Sequence, residues 1–73
     1  MNIHIEFCEK WNYHPDFDRV SNHIKELLPE AVVVGNSSPP RSGSFEVTIE
    51  GKLVYSKFKT GTFPNTDEIN KWF

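Results

Sequence analysis

The sequence predicts an α/β domain in which the elements follow in the order strand, helix, strand, strand, strand, helix, with a four-stranded mixed sheet and two helices. Three patterns predict it: two segments that alternate polar and apolar residues, an apolar stripe at helical spacing between strands, and a hairpin signal in the second half. A chain of 73 residues has room for one domain spanning residues 1–73. Six Phe, two Trp and two Tyr must supply much of its core.

The first half of the chain predicts a strand, a helix and a second strand. Residues 2–7 alternate polar and apolar side chains, which indicates a strand with one buried face. Pro15 suits the first turn of a helix, where its missing N–H costs nothing, and Pro29 ends that helix. The helix carries an apolar stripe: Phe17, Val20, Ile24, Leu27 and Leu28. The apolar run 31–34 predicts a central strand that is covered on both faces and pairs in parallel after a helical crossover.

The second half predicts a hairpin. A loop covers residues 35–43, and residues 44–49 then alternate again as a strand. Glu50-Gly51 is a two-residue turn signal, because glycine accepts positive φ. Residues 52–58 form the predicted return strand.

A last helix is expected after a second loop at residues 60–65. Asn65 can cap this helix, with Glu68 reaching back to the cap. The terminal Trp72 and Phe73 are expected to dock on the sheet. Both helices can pack on one face of the sheet, which is the minimal thioredoxin-like arrangement.

Composition and charge exclude several classes of protein. The single cysteine cannot form an intramolecular disulfide, so we expect a reducing compartment, the cytoplasm, rather than a secreted scaffold. The net charge is −2 and the lysines are scattered, so no nucleic-acid partner is expected. The string Lys57-Phe58-Lys59 mixes charge with an aromatic ring but is interpreted as a solvated strand end or loop. Neither a signal peptide nor a transmembrane segment is recognised, and we expect a monomer without membrane association.

Cys8 is the main candidate for chemistry. It directly follows the first strand and precedes a helix, and this is how redox folds present a reactive sulfur. Lys10 and the helix start favour the thiolate, while Glu6 and Glu9 oppose it. The string Cys8-Glu9-Lys10-Trp11 has the length of a Cys-x-x-Cys motif, but Trp11 stands where the second sulfur would be. The alternative is that Cys8 is a small apolar residue at a strand end.

The three histidines do not predict a metal site. His4, His14 and His23 are not at ligand spacing from one another or from Cys8. They are interpreted as solvent-facing side chains, although His14 lies in the same connection as Cys8 and can influence its titration. No metal and no bound cofactor are expected.

Three strings resemble the thioredoxin-like family that includes selenoproteins W, T and H, the Rdx family. They are Ile5-Glu6-Phe7-Cys8-x-x-Trp11-x-Tyr13-x-Pro15, then Gly43-Ser44-Phe45-Glu46-Val47-Thr48-Ile49, and Gly51-Lys52-Leu53-Val54-Tyr55-Ser56-Lys57 followed by Gly61-x-Phe63-Pro64. The first string is similar to the W type. The residues before the second string, Pro39-Pro40-Arg41-Ser42, are similar to the H type. If the chain is of the H type, a nuclear location is the alternative to the cytoplasm.

The resemblance implies a glutathione- or thioredoxin-linked redox role centred on Cys8 and Trp11, where Trp11 holds the position of the family's selenocysteine or cysteine. Glutathione or thiol-containing proteins are the implied partners. From their place beside Cys8, we expect Lys10 and Tyr13 to be binding residues. Pro39 and Pro40 are further binding candidates, because one of them can match the cis-proline that faces the thiol in thioredoxin-like folds. Ordinary loop prolines are the alternative.

Trp11 leaves several alternatives open. It arose by natural loss, by engineered replacement, or by a selenocysteine codon rewritten as the tryptophan codon that differs from it by a single base. Its side chain either anchors a partner or folds back to cover Cys8. The function is therefore either a one-thiol redox protein, with at most thiol oxidoreductase-like activity, or a catalytically degenerate binding module. In the module, Trp11, Tyr13 and the loop containing Arg41 form the interface.

Overall fold

Across residues 1–36 and 38–73, the computed structural model contains one four-stranded sheet and three helices. Ser37, in the predicted loop 35–43, lies outside the described residues. The elements are β1 (Asn2–Phe7), α1 (His14–Leu27), β2 (Val32–Val34), β3 (Phe45–Ile49), β4 (Lys52–Ser56), α2 (Lys57–Thr60) and α3 (Thr66–Asn70). The strand order is β2-β1-β3-β4. β1 pairs in parallel with β2 and antiparallel with β3, and β4 is antiparallel to β3.

The core lies between one face of the sheet and the two longer helices. Alternation along β1 and β3 turns their apolar residues to the same side, where Phe7 is paired with Phe45 and Ile5 with Val47. The helices contribute buried residues to this same cluster: Val20 and Ile24 from α1, and Ile69 from α3. The predicted mixed sheet with its helices packed on one face is therefore confirmed.

The position of β2 differs from the prediction. The parallel pairing with β1 is confirmed, but β2 lies at the edge of the sheet and not at its centre. Val33 packs against the core, whereas Val32 is 54% exposed on the face that carries no helix. The central place belongs to β1, because both β2 and β3 pair with it. An unbroken valine run does not distinguish an edge strand from a covered one.

The return strand is shorter than predicted. β4 ends at Ser56, because the Glu46 carboxylate accepts hydrogen bonds from the Ser56 hydroxyl and from the backbone N–H of Lys57. The chain then forms the single turn α2, which ends at Gly61 in the left-handed conformation. This one-turn helix is an addition to the predicted element order.

The capping box of the last helix is confirmed. The Asn65 side chain accepts from the N–H of Glu68 at 2.8 Å, and the Glu68 carboxylate accepts from the N–H of Asn65 at 3.1 Å. Trp72 packs against the core beside Tyr55, with ring centroids 5.9 Å apart. Phe73 remains exposed, so the docking predicted for it is wrong. No helix among the described residues is long and apolar enough to cross a membrane.

The core predicts a difference between two phenylalanines. Phe45 is fully buried and Phe58 is exposed, so Phe45→Ala should lower the free energy of unfolding by about 3–5 kcal/mol. Phe58→Ala, the matched control, should lower it by less than about 1 kcal/mol. Urea unfolding followed by circular dichroism measures both, and equal losses would contradict this core.

Candidate functional site

The turn between β1 and α1 carries Cys8 and is held at both ends. Cys8 is 1% exposed, and its N–H donates to the carbonyl of Ser44 at 2.9 Å. The carbonyl of Cys8 accepts from the N–H of Tyr13 at 3.1 Å, directly before α1 begins. Asn12 adopts a left-handed conformation inside this turn, with φ 58°. The thiol is therefore buried at the start of a closed turn whose residues 9–12 face solvent.

Trp11 lies against a glycine of the loop before β3. The indole is 57% exposed, and its six-membered ring packs on Gly43: a Cβ added to Gly43 would lie 2.9 Å from Cζ3 of Trp11. Gly43 also has a φ of +75°, where a side chain strains the backbone. Two independent requirements therefore select glycine at this position.

Aromatic rings extend the site from Trp11 to the loop after α2. Tyr13 stands edge-on to Trp11 at 6.2 Å between centroids and edge-on to Phe63 at 4.8 Å. Phe63 continues the series to the buried Phe45 at 5.3 Å. The ammonium of Lys57 lies 5.4 Å from the ring centroids of both Tyr13 and Phe63. The segment 61–64 is thereby joined to the Cys8 turn.

A charged cluster lies beside the turn. Glu6 and Glu46 are direct cross-strand partners on β1 and β3. Arg41 donates to Glu6 from its backbone N–H at 2.8 Å, from Nε at 3.1 Å and from Nη2 at 2.8 Å, and its Nη2 lies 3.8 Å from Glu46. Hydrogen bonds from the Arg41 side chain hold the pKa of Glu6 below its ordinary value of 4.5, against the opposing effect of burial. The Arg41 guanidinium also lies 4.9 Å above the ring of Phe58.

The remaining predicted site residues lie nearby or in the preceding loop. Lys10 is exposed in the Cys8 turn. Pro39 is exposed and Pro40 is half-buried, and both follow trans peptide bonds. The structure thus brings Cys8, Lys10, Trp11 and Tyr13 into one turn, and neither proline is a cis-proline.

The histidines make separate contacts. His14 Nδ1 lies 3.2 Å from the Asp18 carboxylate, and His23 Nε2 lies 2.9 Å from the side-chain oxygen of Asn70. Within residues 1–36 and 38–73, no three His, Cys, Asp or Glu side chains come together as a metal-binding group.

Sequence reasoning gave no role to Glu46, Lys57 or Phe63. Glu46 and Phe63 belong to the strings that carry the family resemblance, and this was the available signal. Lys57 ends one of these strings as well, but its place over two rings could not be predicted, because it depends on the end of β4 and on the return of the 61–64 loop.

The comparison with protein families decides membership. The family model described as the Rdx family matches residues 2–72. The chain belongs to the Rdx family. Zebrafish (Danio rerio) selenoprotein W is 29% identical over 92% of this chain and 79% of that protein. Cattle (Bos taurus) migration and invasion enhancer 1 is 31% identical over 94% of this chain, which spans only 58% of that relative.

A solved structure supports the same fold. The selenoprotein W-related protein of Vibrio cholerae is 21% identical, covers 96% of this chain and 88% of its own, and superposes with a TM-score of 0.80. The thioredoxin-like fold is therefore confirmed for this Rdx protein. Family membership supports a redox-associated thioredoxin-like protein in general terms.

The packing of Trp11 on Gly43 can be tested with two glycines. Gly43→Ala and Gly51→Ala both place a side chain at positive φ, but only the first meets another side chain, because a Cβ on Gly51 has no neighbour within 4 Å. Gly43→Ala should shift the indole N–H resonance of Trp11 while leaving that of Trp72 in place. Gly51→Ala should move neither resonance. A Trp11 resonance unchanged in Gly43→Ala would contradict the contact.

The Arg41–Glu6 contact predicts a dependence of stability on pH. Because the pKa of Glu6 is lowered in the folded protein, its contribution is present above about 4.5 and is lost as pH falls through the lowered value. Arg41→Gln should therefore destabilise the protein more at pH 7 than at pH 3, as measured by urea unfolding. Lys52→Gln removes an equal charge from the exposed first residue of β4, and its effect on the free energy of unfolding should differ less between the two pH values. A loss of stability on Arg41→Gln that is larger at pH 3 than at pH 7 would refute the contribution of the Arg41–Glu6 contact.

Proposed function

We propose that this Rdx protein uses Cys8 as a single reactive thiol that forms mixed disulfides with glutathione or with thiol-containing proteins, as part of redox homeostasis in the cytoplasm. The observation that supports the proposal is the place of Cys8, directly after β1 and at the start of the turn that leads into α1. The general redox character of the family agrees with it.

A single thiol can complete a cycle with external thiols. The Cys8 thiolate attacks one sulfur of a glutathione disulfide, the disulfide bond breaks, and a glutathione thiolate leaves while Cys8 becomes bonded to the other glutathione. A thiolate of reduced glutathione then attacks the glutathione sulfur of this mixed disulfide. The attack releases the Cys8 thiolate and restores the glutathione disulfide. The chain holds no second cysteine, so no intramolecular step occurs and no bound cofactor is required.

The burial of Cys8 defines how the reaction begins. With 1% of its surface exposed, the thiol reacts after residues 9–12 move away. These residues are exposed, and local opening of such a turn costs less than global unfolding. Lys10 stands in the moving turn, where its charge attracts the carboxylates of glutathione.

Glutathione uptake tests this function. The folded protein, incubated with glutathione disulfide, should gain one glutathione by intact mass and lose it when reduced glutathione is added. Lys10→Gln should slow the uptake about two- to tenfold at low salt, because it removes the nearest exposed cation of the turn. Lys25→Gln removes an exposed cation from α1 and should leave the rate unchanged. Uptake that occurs only in unfolding concentrations of urea would refute the proposal.

A second candidate function is a protein-binding module, which is favoured by the 57% exposure of Trp11. The replacement Cys8→Ser separates the two. If cells that depend on the protein survive a peroxide challenge equally well with Cys8→Ser, the thiol proposal fails. If survival is lost while binding to a partner is intact, the binding module alone is insufficient.

A further inference from the structure

We infer that Ser38 is a phosphorylation site for an ATP-dependent, proline-directed protein kinase, and that the phosphate draws the Arg41 guanidinium away from Glu6. The inference goes beyond the proposed function, because it concerns the loop before β3 and does not depend on the reactivity of Cys8.

The sequence around Ser38 has the pattern that proline-directed kinases recognise. In Ser38-Pro39-Pro40-Arg41, the acceptor serine is followed directly by proline and, three residues on, by a cation. A substrate pocket that requires no N–H after the acceptor admits proline, and an acidic subsite of the kinase receives the cation. Among the serines and threonines of the chain, Ser38 alone precedes a proline. The pattern therefore selects one hydroxyl group.

The structure leaves this segment accessible to a kinase. Ser38, Pro39 and Arg41 are exposed, and residues 38–41 lie between β2 and β3, outside the helices and strands. A residue before proline is biased toward extended conformations, and each proline fixes its own φ. The segment can therefore enter the cleft of a kinase in an extended conformation without breaking the pairing of any strand.

Arg41 is placed to receive the phosphate. It lies three residues from Ser38, so at most about 11 Å of chain separates them, and 64% of its side chain is exposed. A phosphoserine carries about 1.5 to 2 negative charges near pH 7 and three acceptor oxygens, whereas a carboxylate offers one charge and two oxygens. Arginine also binds phosphate through two parallel N–H···O bonds. The phosphate therefore competes with Glu6 for Nε and Nη2, which lie 3.1 and 2.8 Å from that carboxylate.

The movement of Arg41 changes the balance of charge on the sheet. Glu6 and Glu46 are cross-strand partners on β1 and β3, and Arg41 lies near both. When the guanidinium turns to the phosphate, the two carboxylates remain opposite each other, and like charges in that position repel. Gly43 follows Arg41 by two residues, so phosphorylation also affects the loop on which Trp11 rests.

The chemical step needs only ATP and the kinase. The Ser38 hydroxyl oxygen attacks the γ-phosphorus of ATP, while its proton passes to the catalytic base of the kinase. The bond from that phosphorus to the oxygen that bridges it to the β-phosphate breaks, and ADP leaves.

Phosphorylation of the folded protein tests the site. The reduced protein is incubated with ATP, Mg²⁺ and a purified cyclin-dependent kinase, which is a proline-directed enzyme. Intact mass should show one added phosphate, which Ser38→Ala abolishes. Ser42→Ala, the matched control, removes an exposed serine from the other side of Arg41 and should leave the rate unchanged. Arg41→Gln should slow the reaction at least about fivefold, whereas Arg41→Lys, which keeps the charge, should retain most of the rate.

The new partner of Arg41 is tested by ³¹P NMR of the phosphorylated protein. A free phosphoserine has its second pKa near about 6, and a bound guanidinium favours the dianion. The phosphate on Ser38 should therefore titrate at lower pH in the unsubstituted chain than in Arg41→Gln that has been phosphorylated to completion. At pH 7, the Nε–H resonance of Arg41 should also move when the phosphate is added.

Three results would overturn the inference. They are no phosphate on the protein when the same kinase modifies a Ser-Pro-x-Arg peptide, phosphate that remains in Ser38→Ala, and a phosphate that titrates identically with and without Arg41. Ser38→Ala should take up glutathione at the unchanged rate, so a failure of the one-thiol proposal is seen separately from a failure of this one.

Discussion

Two glutamates face each other across the centre of the sheet, and the arrangement of the site depends on the arginine that lies between them. Glu6 and Glu46 are cross-strand partners, and like charges in that position repel. Arg41 places its guanidinium between the two carboxylates and makes three hydrogen bonds to Glu6. This pairing fixes the loop before β3 against the end of β1.

The Arg41–Glu6 contact also positions Cys8 and Trp11, through the short stretches of chain that follow Glu6 and Arg41. Cys8 follows Glu6 by two residues, and Gly43 follows Arg41 by two, so the pairing sets the register at which Cys8 N–H meets the Ser44 carbonyl. Gly43 is thereby placed under Trp11. The other carboxylate, Glu46, ends β4 by accepting from Ser56 and Lys57. The turn that follows places Lys57 over the aromatic rings of the site, and the loop after it carries Phe63.

The sequence predicted the fold well where a local pattern decides the structure. Alternation specified β1 to the residue, and the Asn65–Glu68 spacing specified the capping box. The valines of β2 were misplaced because apolarity was taken as burial, whereas strand order is a property of the whole sheet. The end of β4 was missed because Glu46, ten residues away in the chain, decides it.

The candidate site was predictable only in part. Cys8, Trp11 and Tyr13 are neighbours in sequence, so one motif indicated all three. The loop containing Arg41 was expected beside them in the binding-module alternative. Lys57 and Phe63 reach the same region through contacts between distant segments, and periodicity carries no information on such contacts. The burial of Cys8 could not be predicted either, because it depends on how the turn closes.

A reactive Cys8 requires that the buried thiol become accessible through local opening of its turn. The decisive measurement is the alkylation rate of Cys8 at fixed pH against urea concentration, below the unfolding transition. With local opening, the rate should be well below that of the unfolded protein and nearly independent of urea, because opening the turn exposes little surface. A rate that rises with urea in parallel with global unfolding would rule out local opening, since Cys8 would then be a core residue that no partner reaches in the folded protein.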